Sequence, residues 1–217
     1  MWKKEGSLYI FTGDQRSEEW HMARKNRVTA SRIAAAIGDS KFSTVEKTAK
    51  VILGQITEEV NYNMNRGTKY EDEIRGFYEE DKNVKVTELG FVFHEDLPHI
   101  GVSPDGVVGE DGLIEIKCPD AVYEPLRNVI DAGRRSYDRW KRPQHIWKSH
   151  YDQMMTQMAI MGRSWCDYVV YGLSDEIYYV ERVKYNERYW NELLLPQINK
   201  FIRIYLKNTS PYVPNLE

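Results

Sequence analysis

Residues 101–119, Gly101 to Pro119, read GVSPDGVVGEDGLIEIKCP. Pro104 presets one backbone angle and Gly106 tolerates a tight bend, so Ser103-Pro104-Asp105-Gly106 favours a turn. Val107 and Val108 lead to a second turn, Gly109-Glu110-Asp111-Gly112, and then to Leu113-Ile114-Glu115-Ile116-Lys117-Cys118, which Pro119 stops. The pattern predicts a hairpin followed by a buried strand. Alternation along that strand puts Leu113, Glu115 and Lys117 on one face and Ile114, Ile116 and Cys118 on the other. A returning chain brings Asp105 beside Glu115, so that two carboxylates and one ammonium converge.

Such an oxygen-rich strand edge suits Mg²⁺ or Mn²⁺. An ion there lowers the pKa of a bound water and stabilises charge on a phosphate, with Lys117 placed to orient or deprotonate that water. The competing reading is a surface Glu–Lys pair on a half-exposed strand, common and worth little. An Asp held in a Pro-Asp-Gly turn within the same β unit favours the metal site. Together, Pro104-Asp105 and Glu115-Ile116-Lys117 resemble the signature of the PD-(D/E)xK nuclease core.

The chain has 217 residues, 30 Lys plus Arg against 33 Asp plus Glu, and a net charge of −3. That balance argues against indiscriminate coating of nucleic acid but leaves room for a local basic groove. Two basic clusters are candidates: Arg24, Lys25, Arg27 and Arg32, and a second from Arg127 to Lys148. Either is equally readable as a solvated face. Two cysteines, Cys118 and Cys166, supply neither a disulfide framework nor the four thiolates of an iron–sulfur cluster. No apolar run approaches the roughly 20 residues that cross a bilayer, and no secretory leader is evident. An intracellular setting is expected: the cytoplasm of a bacterial host or cell, or the nucleus for a eukaryotic virus.

Ser17 is the expected cap of a short helix carrying Trp20 and ending in basic residues. A second helix, Ala30 to Ile37, stops at Gly38, and a third, about Thr44 to Leu53, at Gly54. Arg24 near one helix end and Ser31 near the next helix start form a candidate anion pocket, though Ser31 reads equally as a plain cap. Asn61 to Asn65 read as a loop before a helix of roughly Arg66 to Asp81, whose apolar members are Tyr70, Ile74, Phe77 and Tyr78. Glu71 lies one position around from that set, either an exposed acid or a carboxylate at the rim of the site. Strands are expected near Val84–Thr87, Phe91–Phe93, Trp165–Tyr171 and Ile177–Val183. Helices are expected over Ala121–Ala132, from Pro143 to Met161, and over Asn186–Leu206. Gln153 and Gln157 share one face of the Pro143–Met161 helix, either aimed at the metal site or an ordinary pair of surface glutamines. No linker or repeat interrupts the chain, so one domain, 1–217, is expected.

Four stretches in order resemble the phage lambda exonuclease, or YqaJ-type, viral recombinase family: Trp20-His21-Met22-Ala23-Arg24 with Thr29-Ala30-Ser31; Gly67-Thr68-Lys69-Tyr70-Glu71; Ser103-Pro104-Asp105-Gly106; and Glu115-Ile116-Lys117-Cys118-Pro119. The Gln153/Gln157 helix is a fifth, looser match. The resemblance implies an α/β fold with a restriction-endonuclease-like core, a mixed β-sheet flanked by helices. It implies a Mg²⁺-dependent exonuclease that digests duplex DNA from 5′ ends and leaves 3′ overhangs for strand-annealing recombination. Asp105, Glu115 and the main-chain carbonyl of Ile116 would hold the ion, Lys117 would serve the attacking water, and Glu71 and Gln153 would border the site. Arg24 and Ser31 would receive the 5′-phosphate. The family's basic residue beyond Lys-Cys-Pro is missing here, where Val122, Tyr123 and Glu124 stand, and Arg127 is the substitute. DNA ends, a single-strand annealing protein and a trimeric ring are the implied partners. Two other readings stay open: an endonuclease of the same superfamily serving restriction or repair, and an end-binding module with a degenerate site.

Overall fold

The computed structural model describes residues 1–14, 17–57 and 62–216, with side chains from residue 69 onward in the helix that begins at Tyr62. The first elements are a hairpin, β1 (Trp2–Glu5) and β2 (Leu8–Phe11), then α1 (Glu18–Arg24), β3 (Val28–Thr29), α2 (Ile33–Ala36), α3 (Val45–Ile52) and α4 (Tyr62–Lys82). The central strands are β4 (Val86–Thr87), β5 (Val92–His94), β6 (Ile100–Val102), β7 (Gly106–Val108) and β8 (Gly112–Lys117). Beyond them lie α5 (Glu124–Ala132), α6 (Lys148–Met161), β9 (Trp165–Tyr171), β10 (Tyr178–Lys184) and a helical run from Glu187 to Leu206 with two π-type turns.

The strands form two mixed sheets, ordered β1-β2-β5-β6-β3 and β10-β9-β8-β7-β4. Helix α6 packs against β5 and β6 of one sheet and β9 of the other. Its methionines Met154, Met155 and Met158 are fully buried there, as core filler. The opposite face of the second sheet is covered by α4, where Ile74 and Tyr78 pack with Ile114, Ile116 and Val169. The Tyr78 hydroxyl donates to the buried Asp167 carboxylate at 2.7 Å, fixing α4 to β9. Phe77 departs from the expected core set: it is 40% exposed.

Local chemistry explains most boundaries. Ser17 accepts from the Trp20 amide at 3.2 Å, and Thr44 accepts from that of Lys47 at 3.2 Å. Gly162 closes α6 at φ +64°, a left-handed position that suits glycine. A side chain at Gly101 would put its Cβ 2.0 Å from the Phe91 ring, so glycine lets β6 lie over that ring.

Three expectations need correction. Helix α4 begins at Tyr62, so residues 62–65 are helix, not loop, and Asn61 lies outside the described residues; asparagine weakens a helix only slightly against the pull of the long stretch that follows. Helix α6 begins at Lys148, not Pro143, because Arg142 Nη1 donates to the Pro143 and Ile146 carbonyls at 3.4 and 3.0 Å and Tyr137 bridges Pro143. The Ala30–Ile37 helix opens as a 3₁₀ turn, Ala30–Arg32, before α2.

Arg27 does not join a basic surface. It is fully buried over the Phe93 ring, 4.0 Å from guanidinium carbon to centroid, and no carboxylate pairs with it among the described residues. Its guanidinium donates to three main-chain carbonyls: Pro98 at 2.7 Å, Ala23 at 2.6 Å, and Tyr212 in the C-terminal tail. Burial lowers its pKa to about 10, still well above neutrality, so it remains charged. Truncation by Arg27→Ala would orphan three carbonyls and open a cavity; we expect a loss of about 3 kcal/mol or more. Urea unfolding at pH 7 measures it, and a loss below about 1 kcal/mol would refute the latch.

Candidate active site

The antiparallel register Gly106↔Ile114 and Val108↔Gly112, extended by one residue, sets Asp105 opposite Glu115. Asp105 Oδ2 accepts from the Ile116 amide at 2.7 Å, fastening the turn to the strand. Glu115 is only 1% exposed, its Oε1 paired with the Lys117 ammonium. Gln157 Nε2 donates to Glu115 Oε2 at 2.7 Å, and Lys117 Nζ donates to Gln153 Oε1 at 3.2 Å. The two glutamines of α6 thus stand over the two charged residues of β8. Leu113 joins the core on that face, while Ile114, Ile116 and Cys118 pack on the opposite one, as the alternation requires.

The electrostatics are those of crowded acids. Burial, then the neighbouring charges of Glu115 and Glu71, push the Asp105 pKa well above the usual 3.8. For Lys117, burial alone would lower the pKa, but Glu115 and Asp105 outweigh it and the net shift is upward. The arrangement fits a small hard cation, whose charge would relieve the repulsion that raises Asp105. Among the described residues no three His, Cys, Asp or Glu side chains cluster as a metal site. A main-chain carbonyl and waters would therefore have to complete the shell, as Mg²⁺ commonly allows.

Glu71 reaches this neighbourhood through a residue the sequence reading passed over. Arg75, 8% exposed, donates from Nη2 to Glu71 Oε1 at 3.1 Å and from Nε to the Asp105 carbonyl at 3.2 Å. Its spacing of four from Glu71 and three from Asp72 was the available signal.

The candidate anion pocket draws on α1 and the turn after β3. Arg24 ends α1 with its guanidinium 4.0 Å over the Trp20 ring. Ser31 is exposed in the turn after β3, its hydroxyl 3.4 Å from that of Thr29. Strands β3 and β6 pair in parallel, Val28↔Ile100 and Thr29↔Gly101, so the turn carrying Ser31 and the segment carrying Ser103 leave adjacent strands at the same end. The buried Ser103 hydroxyl and Trp20 Nε1 have no hydrogen-bond partner among the described residues. Ser103 precedes Asp105 by two residues, about 7 Å of extended chain. Ser103 was missed because it reads as an ordinary turn residue.

Arg127 pairs with Asp175, which also accepts from the Val122 amide at 2.9 Å. A phosphate would have to compete with that carboxylate. Other members of the second basic cluster are likewise matched: Arg135 by the distant Glu181, and Lys148 by the distant Asp39 and by Asp152 one helical turn on.

Residues 19–164 match the YqaJ-like viral recombinase domain. Among solved structures, an alkaline exonuclease from Laribacter hongkongensis is 32% identical, with a TM-score of 0.70 over 88% of this chain and 93% of that one. The same protein in complex with dAMP gives a TM-score of 0.66 at 32% identity, over 88% of this chain and 91% of that one. A phage-related exonuclease from Haemophilus somnus, 16% identical with a TM-score of 0.53 over 83% of this chain and 92% of that one, shares the fold. No curated protein sequence matches. The α/β architecture is that of these exonucleases, and the chain belongs to the YqaJ-like viral recombinase family, whose members act as nucleases on DNA.

Proposed function

We propose that the chain is a Mg²⁺-dependent exonuclease that digests linear duplex DNA from 5′ ends and leaves 3′ single-stranded overhangs for strand-annealing recombination. The convergence of Asp105, Glu115 and Lys117 beneath Gln153 carries this reading. Asp105, Glu115 and the Ile116 carbonyl are the groups to hold Mg²⁺, and Mn²⁺ fits the same oxygen set. When bound, the ion supplies charge for the phosphate oxygens and a more acidic water.

The chain's own residues do the rest. Lys117 Nζ orients the attacking water and accepts its proton as the pH rises. Gln157 holds Glu115 in place, and Arg75 holds Glu71 against the Asp105 turn. Water oxygen bonds to phosphorus while the bond to the 3′ oxygen breaks. The departing nucleotide keeps a 3′-hydroxyl, and the shortened strand gains a new 5′-phosphate. Such a mononucleotide is of the class of dAMP, which the Laribacter enzyme binds. The new 5′-phosphate suits Arg24, Ser31 and Ser103, so each cut rebuilds the group that the pocket holds. A trimeric ring on the DNA and a single-strand annealing partner, inside the cell, complete the proposal.

A time course on linear duplex labelled at one 5′ end, with and without the 5′-phosphate and with Mg²⁺ or EDTA, tests it. Digestion from phosphorylated ends in Mg²⁺ alone is expected. Equal cutting of a covalently closed circle would point to an endonuclease instead. In the same assay Arg24→Ala should reduce the preference for a 5′-phosphate by about 10-fold or more, the worth of one charge-assisted contact. An unchanged preference would remove Arg24 from the pocket.

A further inference from the structure

The geometry points to Trp147 as a stacking platform for a nucleobase of the strand being digested; this deepens the exonuclease reading and rests on it. Trp147 caps the start of α6 with its indole 49% exposed, although it belongs to no apolar cluster of the core. Its ring packs on Tyr123, centroids 4.6 Å apart, and on His150 at 5.2 Å. Behind these, His150 Nδ1 and the Tyr123 hydroxyl meet the Tyr168 hydroxyl at 2.7 and 3.2 Å. Tyr168 is the β9 partner of Glu115, so the platform is braced against the strand that carries the site.

Position and chemistry agree. Trp147, His150 and Gln153 recur every three residues along one side of α6, and Gln153 contacts Lys117. At 1.5 Å per residue, Trp147 lies about 9 Å along the axis from Gln153. That is the span of two or three stacked nucleotides at roughly 3.4 Å each. Burial and the Lys117 charge hold His150 neutral, its pKa well below 6.5, so the platform is aromatic and not cationic. Positive charge comes from the segment leading into α6, where Arg134, Arg139 and Lys141 are exposed. A rigid aromatic face beside exposed basic residues is how proteins take single-stranded nucleic acid without reading its sequence. Because the ring is already packed in place, little side-chain freedom is lost when a base stacks on it.

The test uses the full chain, Trp147→Ala and Trp147→Phe, with a 5′-phosphorylated duplex carrying one 2-aminopurine at the first, second, third or fourth nucleotide of the 5′-ended strand. Binding is read by fluorescence with Ca²⁺ in place of Mg²⁺, and digestion is followed in parallel with Mg²⁺. The wild type should quench one or two of these positions selectively. Trp147→Phe should keep most of that quenching, and Trp147→Ala should lose it and bind about 5- to 150-fold more weakly, the worth of one stacked base. Identical quenching and KM in Trp147→Ala and wild type would overturn the platform. So would equal losses in the Phe and Ala variants, which would make Trp147 a packing residue. If the wild type digests no linear duplex in Mg²⁺, the exonuclease reading itself fails, a result distinct from either of these.

Discussion

Lys117→Ala is expected to slow digestion of linear duplex by about 10²- to 10⁴-fold, the usual contribution of a positioned proton-transfer group. Binding to 5′-phosphorylated ends should change little, because Arg24 and Ser31 belong to α1 and the turn after β3, not to β8. In the structure the Lys117 ammonium touches both Glu115 and Gln153. Glu115 and Asp105 favour its charged form over the cost of burial, so the free amine is scarce near neutrality. The wild-type rate should therefore climb with pH on the alkaline side, and the residual rate of Lys117→Ala should climb much less. Single-turnover digestion between pH 6 and pH 10, with end binding measured alongside, separates loss of chemistry from loss of binding. A variant that cuts within about threefold of wild type would exclude Lys117 from the reaction.

The Asp105–Glu115–Lys117 set was legible because everything that builds it is local. A Pro-Asp-Gly bend, a second glycine turn and a period-two run fix a hairpin whose register follows from its own length. Caps such as Ser17, Thr44 and Gly162 were equally legible, since each acts within one helical turn. What escaped depends on distant partners. The β1–β2 hairpin has an exposed first strand, and its place is set by pairing of Leu8–Ile10 with Val92–His94. Arg27 looked like surface because no acid stands near it in sequence; two of its three carbonyl acceptors are 71 and 185 positions away. The basic run from Arg127 to Lys148 looked unbalanced for the same reason, its matching acids being Asp39, Asp175 and Glu181. Ser31 and Ser103 follow the same end of two neighbouring strands only through a parallel pairing, which no local pattern specifies.

Asp105→Asn should abolish Mg²⁺-dependent digestion and, without divalent ions, make the protein more stable at neutral pH. The two effects have one cause. Burial and the charges of Glu115 and Glu71 raise the folded-state pKa of Asp105 well above the 3.8 usual for an aspartate, so the folded chain holds this proton more tightly than the unfolded chain. The stability contributed by that proton is present below pH 3.8 and is lost as the pH rises toward the raised folded value. Above pH 3.8 the wild type therefore loses stability at this crowded acid, a cost that an uncharged amide of the same shape avoids. The amide still cannot replace a charged oxygen ligand, and its NH₂ face would confront the Ile116 amide, which donates to Asp105 Oδ2 at 2.7 Å, unless the side chain turns its oxygen that way. Thermal unfolding of both proteins from pH 4 to pH 8, with EDTA or Mg²⁺, reads the difference directly. The midpoint gap should widen in favour of Asp105→Asn as pH rises in EDTA, and added Mg²⁺ should raise the wild-type midpoint but not that of the variant. An equal rise in both would show that the ion binds somewhere other than Asp105, and a gap that does not change with pH would show that the carboxylate is not crowded. Stability given up at one acid is what a site must spend to keep a cation ligand ready in a buried place.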